Sequence, residues 1–370
     1  MKSFILAVGT LSGTIIGAGV FSLPYLFSKV GLIAGLIYLL VFSVVYFFIH
    51  LMYAQILVAE KNEHQFFYYA RKYLSKFWAW VASWAILGEL VLALTVYLIL
   101  APVFGKLIFP EGSNFLMMII FWGVSSAFIL ARLSAISWAE FLGVLGVAGI
   151  ILIIFLQSGR ADFLDQTPFF KLPDLAIFFL PFGPLLFSLA GRPAIPKVVE
   201  EWRKAKASFS LREVIAWSTA IVALIYAVFV IVVLKISPIV SEDTISNLFL
   251  SMPILRLIGV MGLITLWTSY FIIGINVKEI LNIDLKVKKT VSLALAFFLP
   301  LALYFLGFQN FLKVVGFAGG VFLGLEGVFV SLMWRKAFSK TGWSKWAILL
   351  LITIFAVAIV YETFHFFFAK

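Results

Sequence analysis

Residues 13–24 read Gly13-Thr-Ile-Ile-Gly-Ala-Gly-Val-Phe-Ser-Leu-Pro24, inside an apolar run that begins near residue 3 and ends near Phe27. With Gly9, the run carries Gly9, Gly13, Gly17, Gly19 and Pro24. Glycine is a poor helix former and proline lacks the N–H that continues a helix. The pattern predicts a helix that stops and restarts within one membrane-length segment. A second run, near residues 174–198, holds Pro181, Gly183, Pro184, Gly191, Pro193 and Pro196. It predicts a second broken helix.

The rest of the chain supplies the setting. Of 370 residues, 64% are hydrophobic and 12% charged, and the mean hydropathy is +1.13. A soluble domain is about half apolar and about a quarter charged. These values exclude an ordinary soluble enzyme, a disordered chain and a nucleic-acid partner. There is no cysteine, hence no disulfide, thiol nucleophile or Cys-based metal site. Apolar stretches fall near 3–27, 32–58, 77–104, 114–131, 136–157, 174–198, 212–235, 251–281, 290–306, 311–334 and 344–368. Each approaches the about 20 residues that a helix needs to cross a bilayer. Their continuity favours helices over a barrel, whose strands alternate apolar and polar residues. The expected fold is an all-α polytopic membrane protein of eleven spans, a single transporter domain over 1–370. The first run carries Lys2 but stays apolar beyond a signal-peptide core and has no convincing cleavage site, so it reads as a span.

Charge sets the orientation. With the N-terminus cytoplasmic, the inside connections and N-terminus hold 19 of the 28 Lys and Arg, and the outside connections and C-terminus hold 7. Arg192 and Arg256 lie within spans. Such a split follows the bias of basic residues toward the cytoplasm. The expected location is the cell membrane, with the C-terminus outside and the net charge of +11 a topology signal.

The two broken runs occupy the first and sixth places. Spans 1–5 (repeat one, about 1–160) then pair in order with spans 6–10 (repeat two, about 170–336). Because five is odd, the halves are inverted, an architecture found in transporters. The eleventh span, about 344–368, lies outside the repeat. Gly13/Gly17, Gly31/Gly35 and Gly320/Gly324 also fit a generic close-packing motif.

A half-helix that starts inside the membrane points N–H groups and a positive dipole end into a cavity, which suits a carboxylate. One that ends there offers carbonyls, which suit an ammonium or a cation. An amino acid carries both groups on one carbon. Candidate substrate contacts are Gly13, Thr14, Gly17, Ala18 and Gly19 in the first span and Phe187, Ser188, Ala190 and Gly191 in the sixth. In the eighth span Thr265, Thr268 and Ser269 share a helical face. With carbonyls of Gly13 and Ile16 they could form an oxygen cage for a hard cation such as sodium; alternatively the hydroxyls bond back to their own helix. Charges within spans are functional candidates: Glu89, Arg192 and Glu326 are assigned to coupling or gating, with a satisfied structural carboxyl the alternative for Glu89. Arg192 could pair with either carboxylate. Arg132, Glu140, Arg256, Glu362 and His365 lie nearer span ends and are expected to reach the interface. His50 is expected to be a packed, hydrogen-bonded residue.

The stretch Gly13–Pro24 resembles the first-helix signature of the amino acid/auxin permease branch of the amino acid–polyamine–organocation superfamily. Leu186-Phe-Ser-Leu-Ala-Gly-Arg-Pro-Ala-Ile-Pro-Lys-Val-Val-Glu-Glu201 resembles its sixth-helix signature. Thr268-Ser-Tyr-Phe-Ile-Ile-Gly274 resembles the eighth helix of aromatic and hydroxy amino acid permeases. The resemblance implies a five-plus-five inverted repeat, alternating access, and an amino acid held between helices 1 and 6. It implies sodium between helices 1 and 8, or protons as the coupling ion. The fifth-helix lysine used by some proton-coupled members has no counterpart here, and Arg192 departs from the neutral or histidine residues of that segment. The expected function is gradient-driven secondary transport of neutral or aromatic amino acids. No cofactor is expected beyond a coupling sodium ion or proton, and the partners are substrate and lipid. A channel would need a continuous polar pore, a sensor a regulatory tail and an enzyme a nucleophile–base pair or zinc motif. None stands out in the sequence.

Overall fold

The computed structural model describes residues 2–60, 66–130, 136–157, 159, 175–338 and 345–368. Their regular structure is helical, with no strand among them. The first span breaks where its glycines predict. α1 (Lys2–Ile15) closes with the Ile16 amide donating to the Ser12 carbonyl. Gly17 is extended at φ −142°, a 3-10 turn covers Ala18–Ser22, and α2 (Leu23–Val30) restarts. The two parts are bent by 49°. Gly31, at φ 90°, takes a left-handed turn that a side chain would resist, and α3 (Leu32–Val58) follows directly.

The amphipathic α4 (Phe66–Tyr73) leads to α5 (Lys76–Ile108), which starts at Ser75, whose hydroxyl accepts from the Trp78 amide. Then come α6 (Asn114–Phe128) and α7 (Ile136–Gln157). The sixth span is a series of short pieces: α8 (Leu175–Phe178), α9 (Phe182–Ser188), a 3-10 turn at Arg192–Ala194, and α10 (Ile195–Lys204). Pro193 explains the second break. It has no N–H for the Leu189 carbonyl, and it disfavours helical geometry at Arg192. The chain closes with α11 (Leu211–Ile236), α12 (Met252–Glu279), α13 (Lys289–Phe305), α14 (Phe311–Phe317), α15 (Gly324–Ala337) and α16 (Lys345–Phe368). A π-helical turn over Ala318–Leu323 joins α14 to α15.

Among the described residues, six helical segments, α3, α5 and α11 among them, are long and apolar enough to cross a membrane, and the bent α1–α2 pair makes a seventh if taken as one span. α6, Leu145–Gln157 of α7, and α13 are shorter apolar helices. In lipid, association rests on close packing more than on the hydrophobic effect. Glycines supply the closeness: an added Cβ would overlap the ring of Phe27 at Gly35, of Phe322 at Gly88 and of Phe104 at Gly262. α12 lies along α5 and α7, α11 along α3, and α15 along α16. On the face that carries many of the basic connections, Arg203 donates to the Leu57 and Glu60 carbonyls at 2.9 and 2.6 Å, capping the end of α3. Lys72 pairs with Glu60, and the Tyr73 hydroxyl donates to the same carboxylate at 3.0 Å. Burial, then that bond, raises the Tyr73 pKa.

Candidate functional site

The two breaks face each other. A Cβ on Gly19 would come within 2.6 Å of Ser188 Oγ and 2.8 Å of its Cα, so only glycine permits this approach. Ile15 ends α1 and Ser188 ends α9, and each leaves carbonyls without helical partners. The Tyr226 hydroxyl, from α11, sits 3.0 Å from the Ile15 carbonyl and 2.9 Å from that of Ser188, sharing one proton between two helix ends. From α3, the Tyr46 hydroxyl donates to the Leu186 carbonyl at 2.7 Å, and His50 Nε2 accepts from the Gly191 amide at 3.1 Å. His50 is buried and hydrogen-bonded, as expected. The interruptions are held by side chains of neighbouring spans, the condition under which unwound backbone is tolerated at membrane depth.

Beside the breaks lies a cavity of about 1120 Å³. Gly13, Thr14, Ile16, Gly17, Ala18 and Gly19 line one wall, and Phe187 and Ala190 another. Ser188 and Gly191 are not in the lining: the Ser188 hydroxyl donates to the Pro184 carbonyl at 2.7 Å, and the Gly191 amide is held by His50. Thr14 lines the cavity while donating to the Thr10 carbonyl at 2.9 Å. Gly17 has no atom closer than 4.0 Å to an added Cβ. It borders open space, whereas Gly35, Gly320 and Gly324 are packed against neighbours. The lining continues past Ile5 and Gly9 of α1 to Lys197 and Lys204 of α10 and Asn276 and Glu279 of α12. On the opposite side Phe21 packs edge-on against Phe104 and Phe229, with centroids at 5.5 and 6.2 Å, and Thr244 donates to the Phe21 carbonyl.

Of the eighth-span hydroxyl residues, Thr265 and Ser269 line the cavity with Gly13 and Ile16, and Thr268 does not. Thr268 donates to the Thr265 carbonyl of its own helix at 2.9 Å, and Thr265 to the Gly143 carbonyl of α7 at 3.4 Å. Ser269 lies near the Tyr97 hydroxyl of α5. The two threonine hydroxyls are engaged with α12 and α7. Among the described residues, no three His, Cys, Asp or Glu side chains gather in a metal-binding group.

The intramembrane charges converge at the sixth-span break. Arg192 Nε donates to Glu326 Oε2 at 2.5 Å, with the side chains 13% and 5% exposed. The guanidinium lies 5.4 Å from the Phe66 ring centre, with Tyr53 nearby. Arg192 thus takes Glu326 as its partner. Glu89 lies within electrostatic range of both and lines the same cavity, on one face of α5 with Ala93 and Tyr97. One Glu89 carboxylate oxygen is buried without a hydrogen-bond partner among the described residues.

Glu362 corrects an expectation. It is 2% exposed and accepts from the Gly183 amide at 3.2 Å. Close packing against Gly183 of α9, Gly316 of α14 and Gly320 of the π-helical turn encloses it. Arg256 is exposed, as expected; Arg132 and the Glu140 side chain lie outside the described residues. Tyr46, Tyr53, Tyr97 and Tyr226 were not singled out by sequence. Their signal was modest, a phenol within an otherwise apolar span that needs a hydrogen-bond partner there.

A family model described as transmembrane amino acid transporter protein matches residues 2–368. No curated protein sequence matches. Among solved structures, MhsT in complex with L-phenylalanine is similar at 15% identity and a TM-score of 0.59, over 99% of this chain and 98% of that one. The Eremococcus coleocola manganese transporter, in complex with an aromatic bis-isothiourea compound, is similar at 12% identity and a TM-score of 0.58, over 100% and 88%. At these identities the likeness is one of fold.

Proposed function

We propose, from the premise that this chain belongs to the transmembrane amino acid transporter family, that it is a secondary transporter binding a neutral or aromatic amino acid between its two broken spans. The observation that carries this reading is the cavity bounded by Gly17–Gly19 and by Phe187 and Ala190, beside two helix interruptions in contact. The restarting half-helices offer N–H groups for a carboxylate, and the ending ones offer carbonyls for an ammonium. MhsT holding L-phenylalanine in the same fold supports the substrate class.

The full arrangement in this reading is eleven spans, with spans 1–5 and 6–10 as inverted repeats and α16 outside them. The basic side faces the cytoplasm and the cavity is open inward. Transport proceeds by alternating access, driven by sodium or protons. A sodium ion would use the Gly13 and Ile16 carbonyls with Thr265, Thr268 and Ser269 once those hydroxyls turn from their present partners. A proton would use Glu89, which lines the cavity, with Arg192 and Glu326 setting its field.

Uptake of a labelled amino acid panel by proteoliposomes, under imposed sodium or proton gradients, tests this. The expected result is gradient-dependent accumulation of at least one neutral or aromatic amino acid. Lack of uptake or exchange of every amino acid would overturn it. Uptake indifferent to sodium and unchanged in Thr268→Ala would remove the sodium site. Full proton coupling in Glu89→Gln would return Glu89 to a structural role.

A further inference from the structure

The carboxyl of Glu362 is not in the cavity lining; it sits at the junction of α9, α14 and α16. Its Oε1 accepts from the Gly183 amide at 3.2 Å. Gly183 opens α9, so this amide is one of the donors a helix start leaves unpaired, and Pro184 beside it has none. The contact is possible because glycines surround it. A Cβ on Gly316 would lie 2.7 Å from Glu362 Oε2, and one on Gly320 would overlap the Glu362 side chain. The backbones also touch directly: a Cβ on Gly319 would overlap the Gly183 carbonyl. The π-helical turn at Ala318–Leu323 lies at this contact, and such turns often mark working positions in a helix. Phe179 against Tyr361, at 5.5 Å, and Phe317 on Phe366, at 4.4 Å, close the junction.

A buried carboxyl inside a membrane protein is costly unless it is bonded. This one is spent on the half of span 6 that must move if the cavity is to open on its closed side. We propose that Glu362 is a positioning residue: its bond to Gly183 ties that half of the broken span to α14 and α16 and holds the closed side closed. The inference rests on the alternating-access reading above. Opening the closed side separates α9 from the turn at Ala318–Leu323 and breaks the Glu362–Gly183 bond with it.

The chain lacks cysteine, so Gly9→Cys supplies its single thiol. Gly9 lines the cavity on its open side, with nothing within 4 Å of an added Cβ. The labelling rate of this thiol by a soluble maleimide, on purified protein, reports how often the cavity is open there. Glu362→Leu should lower the rate by about twofold or more, as population moves to the opposite state. Gly183→Ala, whose methyl would overlap the Gly316 carbonyl of α14 as well as the Glu362 carboxyl, loosens the same junction and should lower it likewise. Glu362→Gln keeps an acceptor oxygen and should label at the parent rate. Parent-like rates in both Glu362→Leu and Gly183→Ala, or a lowered rate in Glu362→Gln, would overturn the proposal. If Glu362→Leu does not fold, the other two variants decide. Failure of the parent protein to carry any amino acid would contradict the transport reading and leave the labelling comparison intact.

Discussion

Arg192 and Glu326 show what a charge pair costs at membrane depth. With side chains 13% and 5% exposed, they have little water to fall back on. Removing one partner leaves the other charge buried, a change worth about 3–5 kcal/mol, whereas removing both is often nearly neutral. Glu326→Gln should therefore lower the thermal unfolding midpoint in detergent strongly, and Arg192→Gln with Glu326→Gln should recover most of the loss. A double variant as unstable as the single would show that the pair's charge is not what matters. Glu89 differs in kind: one of its oxygens has no bond among the described residues and its side chain borders the cavity. Glu326, by contrast, is engaged by Arg192.

At the scale of the helix, the breaks were the legible part. Gly17-Ala-Gly19 and Pro193 stop their helices for local reasons that sequence carries: absent side chains and an absent N–H. What repairs the breaks was not legible. Tyr226 reaches both ends from more than thirty residues beyond Ser188, and nothing local distinguishes it from a lipid-facing tyrosine. The same limit explains Glu362, whose place near the end of α16 suggested the interface until packing from α9 and α14 covered it. The eighth-span hydroxyls lie between these cases. Their shared face is set by spacing, but the partner of each depends on how near α7 comes, and Gly143 and Gly146 bring it close.

For the whole molecule, the proposed orientation puts the side rich in basic residues, where Lys197, Lys204 and Glu279 line the cavity, in the cytoplasm. Single cysteines test it in this cysteine-free chain. Ile239→Cys, at an exposed position on the closed side, should react with an impermeant maleimide on intact cells. Lys206→Cys should react only after permeabilisation, and the reverse pattern would invert the topology. The central claim is that the space beside the two breaks is where substrate sits. Gly17 faces that space with nothing near an added Cβ, so a larger side chain would fill the cavity rather than clash with the core. The direct measurement is amino acid counterflow in proteoliposomes, comparing the parent protein with Gly17→Leu at equal, folded incorporation. The parent should show counterflow and the variant a loss of about tenfold or more, the effect of occluding a shaped pocket. Undiminished counterflow by Gly17→Leu would place the substrate elsewhere and contradict that claim.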